Sequence, residues 1–101
     1  MAILHSVYFY FRDEVSIEQI EQQRNSILKD LSKIETVKQI WAGSPVGVDR
    51  DVVDNDYKMS LHAIFDNRDG LDTYQTHQEH IEFLNRFKQN WVKVKVFDTN
   101  I

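Results

Sequence analysis

The stretch AILHSVYFYF, residues 2–11, decides how this chain can fold, because it is apolar or aromatic at almost every position. β-Branched and aromatic residues favour extended backbone, so the stretch predicts a strand. Successive side chains of a strand point to opposite sides. One side carries Ile3, His5, Val7, Phe9 and Phe11, and the other carries Leu4, Ser6, Tyr8 and Tyr10. Both sides are too apolar to remain in water, so each must be covered.

A helix is predicted directly after this strand. Ser16 and Gln19 have the spacing of a capping box, in which each side chain meets a free backbone N–H of the first turn. We expect the helix to begin at Ser16 and to end near Lys33. Its apolar residues recur at helical spacing: Ile17, Ile20, Ile27, Leu28, Leu31 and Ile34.

The rest of the chain predicts three strands and two short helices. Strands are expected at 36–43 and 57–65, separated by an exposed loop at 44–55 that contains the only proline. The helices are expected at about 69–76, capped by Asp66, and at about 78–89. In the third strand the inward side carries Tyr57, Met59, Leu61, Ala63 and Phe65. The closing strand, 91–98, alternates most cleanly, with Val92, Val94 and Val96 inward.

The predicted order of elements is β-α-β-β-α-β, which is the ferredoxin-like arrangement. It predicts an α+β fold with a four-stranded antiparallel sheet and helices on one face. A chain of 101 residues supplies one modest core, so we expect a single domain over residues 1–101. Trp41 and Trp91 are large side chains, and we expect both to be mostly buried.

The composition argues against several classes of partner. The net charge is −4 and no basic block is present, which disfavours nucleic acid as a partner. No apolar run approaches the roughly 18 residues needed to cross a bilayer. The chain has no cysteine, which excludes disulfides, thiolate nucleophiles and zinc–thiolate sites. We expect a cytoplasmic protein without membrane contact.

A homodimer is predicted from the second face of the sheet, because two helices can cover only one face. The side with Val7 and Phe9 is the better candidate to face the helices. The other side presents Leu4, Tyr8, Tyr10, Ile64 and Phe97. An apolar patch of that kind marks an interaction surface, and a second copy related by a two-fold axis is its simplest cover. The alternative is a monomer whose open face binds another ligand or protein.

A histidine motif lies beyond the third strand, in LDTYQTHQEHIEFLNRF, residues 71–87. Tyr74, His77 and His80 form the pattern Tyr-x-x-His-x-x-His. Further matching features are His5 in the first strand, Phe65–Asp66 at the end of the third and Phe97–Asp98 in the last. With these residues the chain resembles the stress-responsive dimeric A/B barrel (Dabb) family over essentially its whole length.

The resemblance implies a dimer whose sheets pack face to face as a barrel, and a cavity in each protomer between sheet and helices. Plant polyketide cyclases of this family act without metal or cofactor, and we accordingly predict none here. By this similarity His80 is the acid/base, Tyr74 assists, and His5 is the strand histidine. Gln78 stands where a proline is common, and the first helix offers Gln23 and Arg24 where the cyclase has aromatic pocket walls.

Two functions remain open at this point. The first is a cofactor-independent acid/base enzyme, cyclase- or isomerase-like, in which His80 abstracts a proton next to a carbonyl while Tyr74 and His5 assist. The second is a non-catalytic dimer that binds a small apolar molecule or a partner protein, for example in a stress response. A cavity that touches His5, Tyr74 and His80 would favour the enzyme, and a filled core there would favour the binding protein.

Metal binding is a weaker alternative. His77 and His80, with His5 or Glu79, would supply imidazole and carboxylate ligands. The two histidines are three residues apart, whereas metalloprotease helices place them four apart. We therefore predict no metal site.

Overall fold

A computed structural model describes residues 1–101 and has the predicted ferredoxin-like architecture. The strands are β1 (Ile3–Phe11), β2 (Gln39–Gly43), β3 (Met59–Phe65) and β4 (Trp91–Asn100). The helices are α1 (Ile17–Lys29), α2 (Arg68–Thr76) and α3 (Gln78–Phe87), with single 3₁₀ turns at Leu31–Lys33 and Lys88–Asn90. The sheet order is β2-β3-β1-β4, and every neighbouring pair is antiparallel. None of the helices is both long and apolar enough to cross a membrane.

The capping box that begins α1 is present. The Gln19 backbone N–H donates to Ser16 Oγ over 3.1 Å, and the Ser16 N–H donates to Gln19 Oε1 over 2.9 Å. The α-helix ends at Lys29, and a 3₁₀ turn extends it to Lys33, close to the predicted end. Ile17 and Leu28 are 85% and 42% exposed, so these two apolar residues lie outside the buried stripe of the helix.

The core lies between α1, α2 and α3 and one face of the sheet. The odd-numbered residues of β1 and β3 supply most of it, as the alternation predicted. Its buried members on these strands are Ile3, Val7, Phe9, Phe11, Met59, Leu61, Ala63 and Phe65. We call the opposite side of the sheet, which no helix covers, the open face.

The valine side chains of β4 point in the predicted direction but are not buried. Val96 pairs with Val7 and Val94 with Phe9, so these valines lie on the helix side of the sheet. They are nevertheless 51% and 37% exposed, and Val92, at a bulge in the register, is 63% exposed. The inward direction is confirmed for Val94 and Val96, but they stay outside the buried core because β4 is an edge strand and the helices do not reach over it.

The cap of α2 and the starts of β2 and β3 differ from the predicted positions. The cap of α2 is Asn67 and not Asp66: the extended Asn67 accepts a hydrogen bond from the Gly70 N–H over 2.9 Å. β2 and β3 are shorter at their starts than predicted. Tyr57 consequently precedes β3 and contacts Tyr8 on the open face instead of entering the core.

Gln23 fills the layer between α1 and the sheet. It is fully buried, accepts a hydrogen bond from the Trp91 Nε1–H over 2.8 Å, and donates to Met59 Sδ over 3.7 Å. Trp91 in turn lies against Phe9, with ring centroids 4.6 Å apart. Gln23 is therefore a core residue that fixes β4 to α1.

Replacing Gln23 by Met keeps its length and removes the acceptor of the Trp91 N–H. An unpaired donor costs roughly 1–3 kcal/mol, so the free energy of unfolding should fall by about that amount in denaturant titrations. Gln22→Met, on the exposed side of the same helix, is the matched control and should change little. Equal stability of the two variants would contradict this role for Gln23.

Candidate functional site

The break between α2 and α3 brings Tyr74 and His80 to the same place. His77 ends α2 and caps α3, with its Nδ1 accepting a hydrogen bond from the Glu79 N–H over 3.0 Å. Tyr74 lies one turn before this break and His80 one turn after it. Because His77 is used in the cap, it is not part of the cluster that Tyr74 and His80 form.

His5 joins them from β1, on the side of the sheet that faces the helices. Its ring centroid is 5.7 Å from that of Tyr74, and Tyr74 and His80 are 4.7 Å apart. Phe65 closes the group, 5.0 Å from Tyr74. The structure therefore places the three predicted site residues together, although Tyr74 and His80 meet through their rings and not through a hydrogen bond.

Asp98 completes the cluster, although the sequence pattern had identified it only as part of the last strand. His5 pairs with Asp98 across β1 and β4, and their side chains approach to 2.5 Å between Nδ1 and Oδ1. A carboxylate only accepts hydrogen bonds, so Nδ1 of His5 carries the proton. The alternation of β4 already predicts this position. Asp98 lies on the same side of the strand as Val94 and Val96, and that side faces His5.

Burial keeps both Tyr74 and His80 uncharged near neutral pH. Tyr74 is 1% exposed, and its burial raises the pKa of the phenol. Burial also lowers the pKa of His80, the proximity of His5 adds to this, and the backbone of Gln75 opposes it. The cluster therefore contains an imidazole free to accept a proton and a phenol able to donate a hydrogen bond.

His80 has an unusual feature. Its Nδ1 is buried and has no hydrogen-bond partner. Buried polar atoms nearly always have partners, and an unpaired one costs roughly 1–3 kcal/mol. His80 is only partly buried as a residue, so it lies at the boundary between the core and the surface.

Five cavities with volumes of about 120–520 Å³ are lined by residues other than His5, Tyr74 and His80. The pocket between sheet and helices that the resemblance implies therefore stays a prediction. Beside the cluster, Tyr74 and Phe65 are packed against each other and are almost fully buried. On the side of the sheet, His5 and Phe65 lie directly against Tyr74.

No group of three or more histidine, aspartate or glutamate side chains is arranged to bind a metal ion. His77 Nε2 lies 3.9 Å from a carboxylate oxygen of Glu35, too far for a hydrogen bond.

The open face carries a second polar group within aromatic surroundings. His62 contacts the hydroxyls of Ser6 and Ser60 at 3.0 and 3.1 Å, and its ring lies 5.7 Å from Tyr8. Burial lowers the pKa of His62. Trp41, paired with His62 across β2 and β3, is 48% exposed, so the expectation that it is mostly buried is wrong: it lies on the uncovered side of the sheet.

Comparison with solved structures places the chain among small ferredoxin-like proteins. A dimeric ferredoxin-like protein of unknown function from Thermobifida fusca is 24% identical, with a TM-score of 0.86, and the match covers 100% of this chain and 92% of that one. A protein from Arabidopsis thaliana is 25% identical, with a TM-score of 0.85 and coverage of 98% and 94%. A hydroxynitrile lyase from Passiflora edulis is 18% identical, with a TM-score of 0.85 and coverage of 99% and 93%.

No curated protein matches the chain significantly. A family model does match: the stress responsive A/B barrel domain, Dabb, covers residues 3–101. The match includes every strand and helix and all four members of the His5–Tyr74–His80–Asp98 cluster. This chain therefore belongs to the stress responsive A/B barrel (Dabb) family.

Proposed function

We propose that this chain is a homodimeric acid–base protein, in which His80 accepts a proton from a small carbonyl compound while Tyr74 stabilises the negative charge that forms. The observation that carries the proposal is the row of contacts from Asp98 through His5 and Tyr74 to His80, whose Nδ1 is buried without a hydrogen-bond partner. Polar groups gathered in a largely apolar layer, with one of them unsatisfied, are typical of a site for a small polar molecule.

The homodimer is supported by the exposed surface of the sheet. Phe97 and Trp41 are 57% and 48% exposed on the open face, and the Phe97 ring lies 6.1 Å from that of Tyr8. A face-to-face dimer would cover the open face, and the Thermobifida fusca relative is described as dimeric. At about 25 cal/mol per Å², covering such side chains contributes several kcal/mol.

The proposed chemistry begins with His80 in its neutral form, which its lowered pKa favours. The imidazole takes the proton from the carbon next to the carbonyl, and the electron pair remains on the ligand as an enolate. The Tyr74 hydroxyl donates a hydrogen bond to the enolate oxygen, and its raised pKa keeps it protonated for this purpose. His5, held by Asp98, positions the Tyr74 ring from the sheet side.

The Passiflora edulis relative gives the proposal a second kind of substrate. A hydroxynitrile is cleaved when its hydroxyl loses a proton and cyanide leaves, which again needs a base near neutral pH. At 18% identity the likeness concerns the fold, so the hydroxynitrile is a probe for this chain and not an assigned substrate.

The second candidate function is a non-catalytic dimer that binds a small molecule or a partner protein. The observation that favours it is the packing beside the cluster, where Tyr74 and Phe65 lie against each other and none of these five cavities touches His5, Tyr74 or His80. In this case the cluster would be a structural feature, and His80 would matter for stability alone.

Replacing His80 by Gln separates the two candidates. We expect the purified protein to accelerate α-proton exchange of a β-keto thioester in deuterium oxide, followed by NMR, or cleavage of mandelonitrile, followed by aldehyde absorbance. His80→Gln removes the base and should slow whichever of the two reactions the unmodified protein accelerates by about 10²–10⁴-fold. His62→Gln, a partly buried histidine on the other face, is the matched control and should keep the rate. No acceleration by the unmodified protein, or equal rates in both variants, would leave the binding protein as the better account.

The lowered pKa of His80 also predicts a pH dependence of stability. Below its ordinary pKa of about 6.5 the unfolded chain binds a proton that the folded chain binds less readily. The contribution of His80 to the free energy of unfolding should thus be fully present above about pH 6.5 and should be lost progressively as the pH falls below that value. Denaturant titrations should show a smaller fall in His80→Gln, because other titrating groups are common to both proteins. Parallel pH profiles would contradict the shift.

Replacing Tyr8 by Glu tests the dimer. Sedimentation of the unmodified chain at micromolar concentration should give about twice its mass of 12.0 kDa. A carboxylate at the centre of the open face should be costly to bury, so the variant should sediment as a folded monomer. Asn25→Glu adds the same charge to the exposed side of α1 and should remain dimeric. A monomeric unmodified chain would refute the proposed assembly.

A further inference from the structure

A depression of the open face has a volume of about 440 Å³. Its lining consists of Ser6, Tyr8, Tyr10, Asp54, Tyr57, Lys95 and Phe97. It lies on the side of the sheet opposite the His80 cluster, so the proposed acid–base chemistry does not use it. Small-molecule sites in proteins typically have volumes of about 300–1,000 Å³.

Aromatic rings form its walls and hold one another in fixed positions. Tyr8 lies edge to face with Tyr57 at 5.0 Å and with Phe97 at 6.1 Å, and Tyr57 lies 6.4 Å from Tyr10. Such T-shaped contacts stabilise the pairs and restrict ring rotation. A cavity with rigid aromatic walls favours a planar apolar ligand over a flexible chain.

The loop before β3 is held at the edge of this cavity by hydrogen bonds of Asp54. The Tyr10 hydroxyl donates a hydrogen bond to Asp54 Oδ2 over 2.7 Å, and Asp54 Oδ1 accepts the Asp56 N–H over 2.8 Å. The hydrogen bond to Asp54 is the main cause that raises the pKa of Tyr10 to about 12. Both oxygens of Asp54 therefore already have donors.

Lys95 is the cation of the cavity, and its ammonium has free donor capacity. Its Nζ lies 4.0 Å from Asp54 and 5.6 Å from the centre of the Tyr10 ring, so neither contact is a hydrogen bond. A second ammonium, that of Lys93, lies 4.4 Å above the same ring. With the carboxylate satisfied and two ammonium groups close by, the site favours a ligand that brings an anionic acceptor.

We propose that this cavity binds a small planar aromatic carboxylate, with its ring against Tyr8, Tyr57 and Phe97 and its carboxylate at Lys95. The inference rests on the proposed dimer, since the partner's sheet would close the cavity from above and exclude water. Removing water strengthens the pairing of carboxylate and ammonium. The open face would then serve both as interface and as binding site.

The test titrates the full-length chain with 4-hydroxycinnamate and with its uncharged amide, by calorimetry, while sedimentation reports the assembly of the same samples. The carboxylate should bind and the amide should bind at least about tenfold more weakly, as expected for a charge-assisted contact. Lys95→Met keeps the apolar stem and should weaken the carboxylate about tenfold while leaving the amide unchanged. Lys88→Met, an exposed lysine outside the open face, is the matched control and should bind as the unmodified chain does.

The outcomes separate this inference from the proposed dimer. A dimer that binds neither probe, or binds both equally, overturns the cavity proposal and leaves the dimer standing, because the partner's side chains then fill the cavity. Binding that Lys95→Met does not change also overturns it. A monomer that binds the carboxylate through Lys95 refutes the dimer but supports the site.

Discussion

The structure depends on one constraint, which is that β1 lies inside the sheet and is apolar or aromatic on both of its sides. α1, α2 and α3 cover only the side that carries Val7 and Phe9. Their packing produces the core, in which Phe9, Leu61 and Phe65 are almost fully buried. The other side carries Tyr8 and Tyr10 and has no helix over it; Tyr10 is buried beneath the loop that contains Asp54, and Phe97 is left exposed. The core and the open face are thus two results of the same strand.

The same constraint explains the form of the His80 cluster. The helices end before β4, so Asp98 has a side chain that is 41% exposed although its partner His5 is buried. A buried imidazole therefore connects through one hydrogen bond to a carboxylate that water reaches. Tyr74 and His80 approach from the break between α2 and α3. This break exists because the His77 side chain caps the start of α3. The cluster forms where the layer of helices stops.

Much of this could be predicted from alternation and capping. Alternation gave the faces of β1 and β3 correctly and turned His5 toward the helices. The resemblance to the family supplied Tyr74 and His80 as its companions. Burial could not be predicted in the same way, because it depends on how far the helices extend over the sheet. Val92 and Trp41 were therefore assigned to the interior wrongly. The burial of Gln23 also escaped prediction, since a glutamine is rarely fully buried unless a partner like the Trp91 N–H is available.

β4 is the element through which the two sides of the sheet are linked. Lys95 and Phe97 point to the cavity of the open face, while the next residue, Asp98, points to His5 on the other side. β4 is also an edge strand of ten residues, with one row of backbone groups free to pair. A displacement of β4 along β1 would move Asp98 away from His5 and Lys95 away from Tyr10 together. Whatever contacts this edge therefore fixes the geometry on both faces, and Trp91, bound to Gln23 at the start of the strand, fixes it from the core.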